Sequence, residues 1–220
     1  MIETGISFGG IHSYYDLNLI LSASEIPPAK PKTLYIDIPG GEGSLDLTEA
    51  IGEVKFYDRD CKFTFTMNPS DDLSDAAFEE KKTEVSNLLN GKHGKIVLDK
   101  DADYFYEGRF EVSEYLSNKR IRQIVVIAKV KPYKMKHEFS GKEIQLTKEE
   151  QLVEFVNGRK SVTPLILCSD DDTVIVFNDI QYTFNAGFHD LHDIQFVQGV
   201  NKLIVSGTGT LTIIFQEGEL

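Results

Sequence analysis

A chain of 220 residues with 41% hydrophobic and 26% charged residues has the composition of a globular protein, long enough for one large domain or two small ones. Its 35 acids against 23 bases give a net charge of −12, which argues against the basic footprint of a nucleic-acid binder and against docking on anionic membranes. Both parts are acidic when the chain is divided at Lys134: 22 acids and 17 bases precede the division, 13 and 6 follow it.

The first residues, Met1 to Gly5, carry neither a charged segment nor an apolar core, so no signal peptide is expected. The longest apolar run, Ile124 to Ala128, is too short to span a bilayer. Cys61 and Cys168 are far apart and sit in strand-like apolar runs. They read as buried free thiols rather than a disulfide framework, which fits folding in a reducing cytosol.

Period-two alternation dominates from the start. Leu17, Leu19, Leu21 and Ala23 share one face of an early strand. Leu34, Ile36 and Ile38 alternate with Thr33, Tyr35 and Asp37, and Pro39-Gly40-Gly41-Glu42-Gly43 then supplies a turn. Residues 33–56 therefore read as a long hairpin whose apolar residues (Leu34, Ile36, Ile38, Leu45, Leu47, Val54 and Phe56) need a surface to lie on. Cys61, Phe63, Phe65 and Met67 face one side of the next strand.

The spacing of Phe78, Val85, Leu88 and Leu89 predicts a helix over about 73–90. Asp71, Asp72, Ser74 and Asp75 stand at its start and Gly91 at its end. Strands are expected near 94–98, 103–116 and 119–131, with Ser117-Asn118 as a hairpin turn. The near-continuous apolar run of the last suits a strand covered on both faces.

Pro132 breaks this pattern, and the polar stretch 132–142 marks a domain boundary, giving domains 1–134 and 135–220. Beyond it only strands are expected, clearest at 173–177, 181–184, 193–197, 202–206 and 210–215, the spacing of a β-sandwich. The fold class is thus mainly β: an N-terminal α+β domain, a β-sandwich with one helix and a long protruding hairpin, followed by a second β-sandwich.

Chemistry is sparse. Gly9-Gly10 and Gly40-Gly41 lack the Lys-Ser/Thr and the helix start that a phosphate cradle requires. His189, Asp190, His192 and Asp193 form the one local cluster resembling a metal site, but too few ligands gather there for zinc. Asp170-Asp171-Asp172 lacks the spacing of a calcium loop and reads as an acidic turn. Lys119, Arg120 and Arg122 read as a solvated turn. No Gly-x-Ser-x-Gly elbow occurs, and no catalytic residue, cofactor or metal is assigned. The absence of tryptophan weakens, without removing, the alternative of a carbohydrate-binding module.

Four stretches, in order, resemble the distal tail protein family of long-tailed bacterial viruses. They are Gly5-Ile6-Ser7-Phe8-Gly9-Gly10-Ile11-His12-Ser13, followed by Asp16-Leu17, and the Pro-Gly-Gly hairpin with Leu45-Asp46-Leu47 and Phe63–Met67. Leu88-Leu89-Asn90-Gly91-Lys92 with Tyr106-Glu107-Gly108-Arg109 comes next, then Val130-Lys131-Pro132-Tyr133. Pro164-Leu165-Ile166, Val174-Ile175-Val176 and Gly199-Val200-Asn201-Lys202-Leu203 are similar to that family's galectin-like sandwich.

The resemblance implies a non-enzymatic virion protein, made in the bacterial host cytoplasm and placed at the tail tip. It implies a hexameric ring built by the first domain, with the hairpin lying on a neighbouring copy. It further implies partners: the tail tube protein, the tail-tip protein, and receptor-binding or side-fibre proteins held by the second domain. No insertion is present that would serve as an additional carbohydrate module.

Overall fold

The structure, a computed structural model, describes residues 5–50, 52–118 and 121–220. It is mainly β, with one α-helix, and divides into two compact units, Met1–Lys134 and Met135–Leu220. No helix among the described residues is long and apolar enough to cross a membrane.

In the first unit, β1 (Ile6–Phe8) and β2 (Ile11–His12) form a tight hairpin, followed by β3 (Leu19–Glu25). A protruding pair, β4 (Tyr35–Asp37) and β5 (Ser44–Asp46), precedes β6 (Arg59–Met67). Helix α1 (Asp75–Leu89) leads to β7 (His93–Leu98), β8 (Tyr104–Ser117) and β9 (Arg122–Val130). The main sheet runs β2-β1-β7-β8-β9-β6-β3, and all its pairings are antiparallel.

Alternation decides what this sheet buries. Along β6, Cys61, Phe63, Phe65 and Met67 point into the core and Asp60, Lys62, Thr64 and Thr66 point away. Phe8 sits among Phe63, Phe65 and Phe110 with ring centroids 5.7, 5.8 and 5.1 Å away, all edge to face. Helix α1 adds Phe78, Val85 and Leu89 to the same cluster. Ser74 caps it, its hydroxyl accepting from the Ala77 N–H, so the helix begins two residues later than its apolar spacing suggests. Asn90 is extended and Gly91, at φ 76°, turns the chain towards β7.

The second unit contains β10 (Lys134–Lys136), which begins at the division, β11 (Ser140–Gln145), β12 (Gln151–Asn157), β13 (Leu165–Cys168) and β14 (Thr173–Phe177). Then come β15 (Ile180–Phe184), β16 (Gly187–Asp190), β17 (Gly199–Ser206), β18 (Thr210–Phe215) and β19 (Gly218–Glu219). Two four-stranded sheets, β11-β18-β13-β16 and β12-β17-β14-β15, enclose one apolar core. Phe196 is at its centre, stacked on Phe155 at 5.3 Å and edge-on to Phe215 at 5.2 Å.

Three local expectations differ from the structure. Residues 193–197 are not a strand: Ile194 and Phe196 are fully buried, but Ile194 N–H closes a turn on the Leu191 carbonyl and Phe196 makes an isolated bridge to Val162. Their alternation reflects anchoring of a loop. Conversely, His189 and Asp190, outside the strands expected from the sequence, lie on β16, which pairs with β13. The polar stretch 132–142 contains β10, which is half-buried throughout, and the start of β11, which is largely exposed.

Candidate assembly interface

The hairpin is held at its base by backbone bonds from Lys32 N–H to the Lys55 carbonyl (2.7 Å) and from Tyr57 N–H to the Lys30 carbonyl (2.9 Å). Pro31 bridges Phe56 there. Further out, Leu47 N–H donates to the Leu34 carbonyl at 2.8 Å, and Tyr35, Ile36 and Asp37 pair with Asp46, Leu45 and Ser44. Gly40 and Gly43, both at φ 77°, turn the tip.

Residues directly opposite in an antiparallel pair project from the same face. One face therefore carries Leu34, Ile36, Ile38, Leu45 and Leu47, and the other carries Tyr35, Asp37, Ser44 and Asp46. The polar face is internally satisfied: the Ser44 hydroxyl donates to Asp37 at 2.7 Å, and Thr48 N–H donates to Asp46 at 2.9 Å. Hydrogen bonds from the Thr48 side chain and backbone hold the Asp46 carboxyl below the usual carboxylate range. The apolar face is bare. Leu34, Ile36, Ile38 and Leu45 each leave 49–51% of their surface exposed.

The remaining predicted hairpin residues are placed differently. Leu47, Val54 and Phe56 are half-buried. Phe56 packs edge-on against Tyr133 of its own unit at 5.9 Å. The stretch 33–54 holds Asp37, Glu42, Asp46, Glu49 and Glu53 and no base, so the ribbon is acidic as well as amphipathic.

Other polar and ionisable groups are engaged in local contacts. His12 accepts from the Tyr14 and Tyr15 N–H groups through Nδ1 (3.1 and 3.2 Å), so Nε2 carries the proton and faces Asp99 at 3.2 Å. On the outer face of the main sheet, Asp60, His93, Glu107, Arg109, Lys129 and Lys131 line a groove. The hydrogen bond from Lys131 holds the Glu107 carboxyl below its usual range.

His189 bonds the Asn185 carbonyl, while His192 and Asp190 are both exposed, 3.8 Å apart. Asp170 accepts from Ser169 and Asp171 accepts from the Ala186 N–H. Among the described residues, no group of three or more His, Cys, Asp or Glu converges as a metal site. Arg122 is a cross-tie: Nε donates to the Leu73 carbonyl at 3.1 Å and Nη2 contacts Asp75 at 2.5 Å. Lys119 and Arg120 lie outside the described residues. Sequence reasoning passed over Arg59, which occupies a core-facing position of β6 and is 5% exposed. Its guanidinium lies 5.0 Å from the Tyr106 ring centroid, with Nη1 3.4 Å from the Pro27 carbonyl.

No protein-family profile matches the sequence, and no curated protein sequence matches it. The architecture does match a solved structure. The SPP1 Dit (gp 19.1) protein, described as a paradigm of the hub adsorption apparatus in phages infecting Gram-positive bacteria, superposes with a TM-score of 0.72. The match covers 99% of each chain at 14% identity. This chain has the fold of a phage distal tail hub protein. The likeness to SPP1 Dit includes both units, because coverage is complete in both directions.

Proposed function

We propose that this chain is a structural virion protein that forms a hexameric ring at the distal end of a phage tail. The first unit, 1–134, builds the ring. Its hairpin lies on a neighbouring copy through Leu34, Ile36, Ile38, Leu45 and Leu47, with Val54 and Phe56 supporting the base. The galectin-like unit, 135–220, holds receptor-binding or side-fibre proteins. The ring joins the tail tube protein to the tail-tip protein and requires no cofactor, metal, nucleic acid or catalysis.

The observation that carries this reading is the bare apolar face of the hairpin, on a chain whose full length shares the hub fold. A two-stranded ribbon has little stability alone and exposes edges that invite pairing with another chain. Seating it on the next copy buries that face, and a head-to-tail contact of this kind closes into a ring when its rotation permits. The test is the mass of the full chain in solution with and without Ile36→Asp/Ile38→Asp. A six-chain assembly lost in the variant supports the ring; an unchanged assembly state refutes the hairpin's role.

A further inference from the structure

A second bare surface lies on the second unit. The β12-β17-β14-β15 sheet turns Phe155, Leu203, Val205 and Ile175 inward, so its alternate residues point to solvent. Its cross-strand register places Leu152 opposite Ile204, Glu154 opposite Lys202, and Val156 opposite Val200. On the adjoining strand, Val176 pairs with Ile204 and extends the apolar row. Leu152, Val156 and Val200 are 62, 67 and 57% exposed, more open than the hairpin residues.

The pattern is an aliphatic row on each side of one ion pair, Glu154 to Lys202 at 3.2 Å. On a unit carrying 13 acids and 6 bases, this strip is charge-neutral. A basic partner has no excess of acid to recognise there. A second copy of the same strip fits. Rotation by 180° about an axis along the strands, midway between β12 and β17, sets Glu154 over the other copy's Lys202 in both directions. The same rotation sets Leu152 over Ile204 and Val156 over Val200. That self-complementarity is what an isologous interface requires, and aligned sheets pack face to face in this way.

Edge-to-edge pairing along β12 is disfavoured at this point. The Glu154 carbonyl already accepts from the Lys142 ammonium at 2.7 Å, leaving the face rather than the edge to associate.

We propose that the outward face of the β12-β17-β14-β15 sheet pairs with the same face of a second copy, by a two-fold contact centred on Glu154 and Lys202. The contact is separate from the hairpin, so a full chain with Ile36→Asp/Ile38→Asp isolates it. In a ring-forming wild type it would link subunits of two rings.

The experiment is sedimentation velocity in that hairpin-substituted background at about 50 μM, above the micromolar Kd of a weak interface of this kind. The background variant sediments as a dimer. Adding Glu154→Lys, or separately Lys202→Glu, sets like charges across the axis and yields monomer. Mixing the two charge variants restores the dimer, because one then presents two lysines and the other two glutamates at these positions. Circular dichroism confirms that each variant is folded, as expected for side chains 50–63% exposed. A monomer in the background variant overturns the proposal and leaves the face to a different protein. Failure of the mixture to dimerise overturns the two-fold geometry.

Discussion

Ile36 and Leu45 stand directly opposite each other across the β4–β5 ribbon, and each leaves about half of its surface in solvent, 49% and 51%. Because neither contributes to a buried core, Leu45→Asp should change folding stability by no more than about 0.5 kcal/mol, the usual range for a surface site. It should nevertheless abolish ring assembly, since it places a charge in the buried hairpin contact. Asp46→Asn, on the opposite face, should leave assembly intact. Thermal melts and size-exclusion light scattering on the two variants check both statements.

The hairpin was legible because its signal is local: alternation in Leu34, Ile36 and Ile38, then a glycine-rich turn. Helix α1 was legible for the same reason. What could not be read locally was set by partners distant in sequence. β16 is a strand because β13 lies beside it, with Ile166 opposite His189. Segment 193–197 is a loop because Phe196 reaches the core from a bridge to Val162. Asn201 is a further case, buried to clip the loop by exchanging hydrogen bonds with Val197 at 2.9 Å in each direction. The outward rows of the β12–β17 pair also depend on register, which alternation on one strand does not fix.

Gly108 lies opposite Val130 on β8, where a Cβ would come within 2.1 Å of the Lys129 carbonyl oxygen and 2.7 Å of the Val130 Cα. Those are backbone atoms that cannot step aside without breaking the ladder. Gly108→Ala should destabilise by about 1–3 kcal/mol, the range for overpacking. Urea denaturation of the full chain, followed by the near-ultraviolet signal of Tyr, eight of whose nine residues lie in the first unit, measures this.

Cys61 is 1% exposed, and burial pushes its thiol pKa up to about 11 from 9.0. The folded state therefore holds the thiol proton more tightly than the unfolded state. This contribution to stability is intact below pH 9 and lost as pH rises through about 11. Native protein at about pH 8 should resist iodoacetamide at Cys61 and become reactive only on unfolding, as followed by mass spectrometry.

Arg59 buries its guanidinium with Nε and Nη2 lacking partners among the described residues. A charge held this way costs desolvation that the Tyr106 stacking and one long bond to Pro27 recover poorly. Arg59→Met keeps most of the volume and removes the charge, so it should be neutral or stabilising by roughly 1 kcal/mol. Arg59→Ala should destabilise, because it leaves a cavity against Tyr106. Chemical denaturation of both variants separates the two effects.

Ring formation driven by the exposed apolar face of the hairpin is tested most directly by native mass spectrometry of dilute full-length chain, beside Ile36→Asp/Ile38→Asp. The expected result is six copies of the 24.8 kDa chain in the wild type and no species larger than a dimer in the variant. The same assembly state in both samples would contradict it.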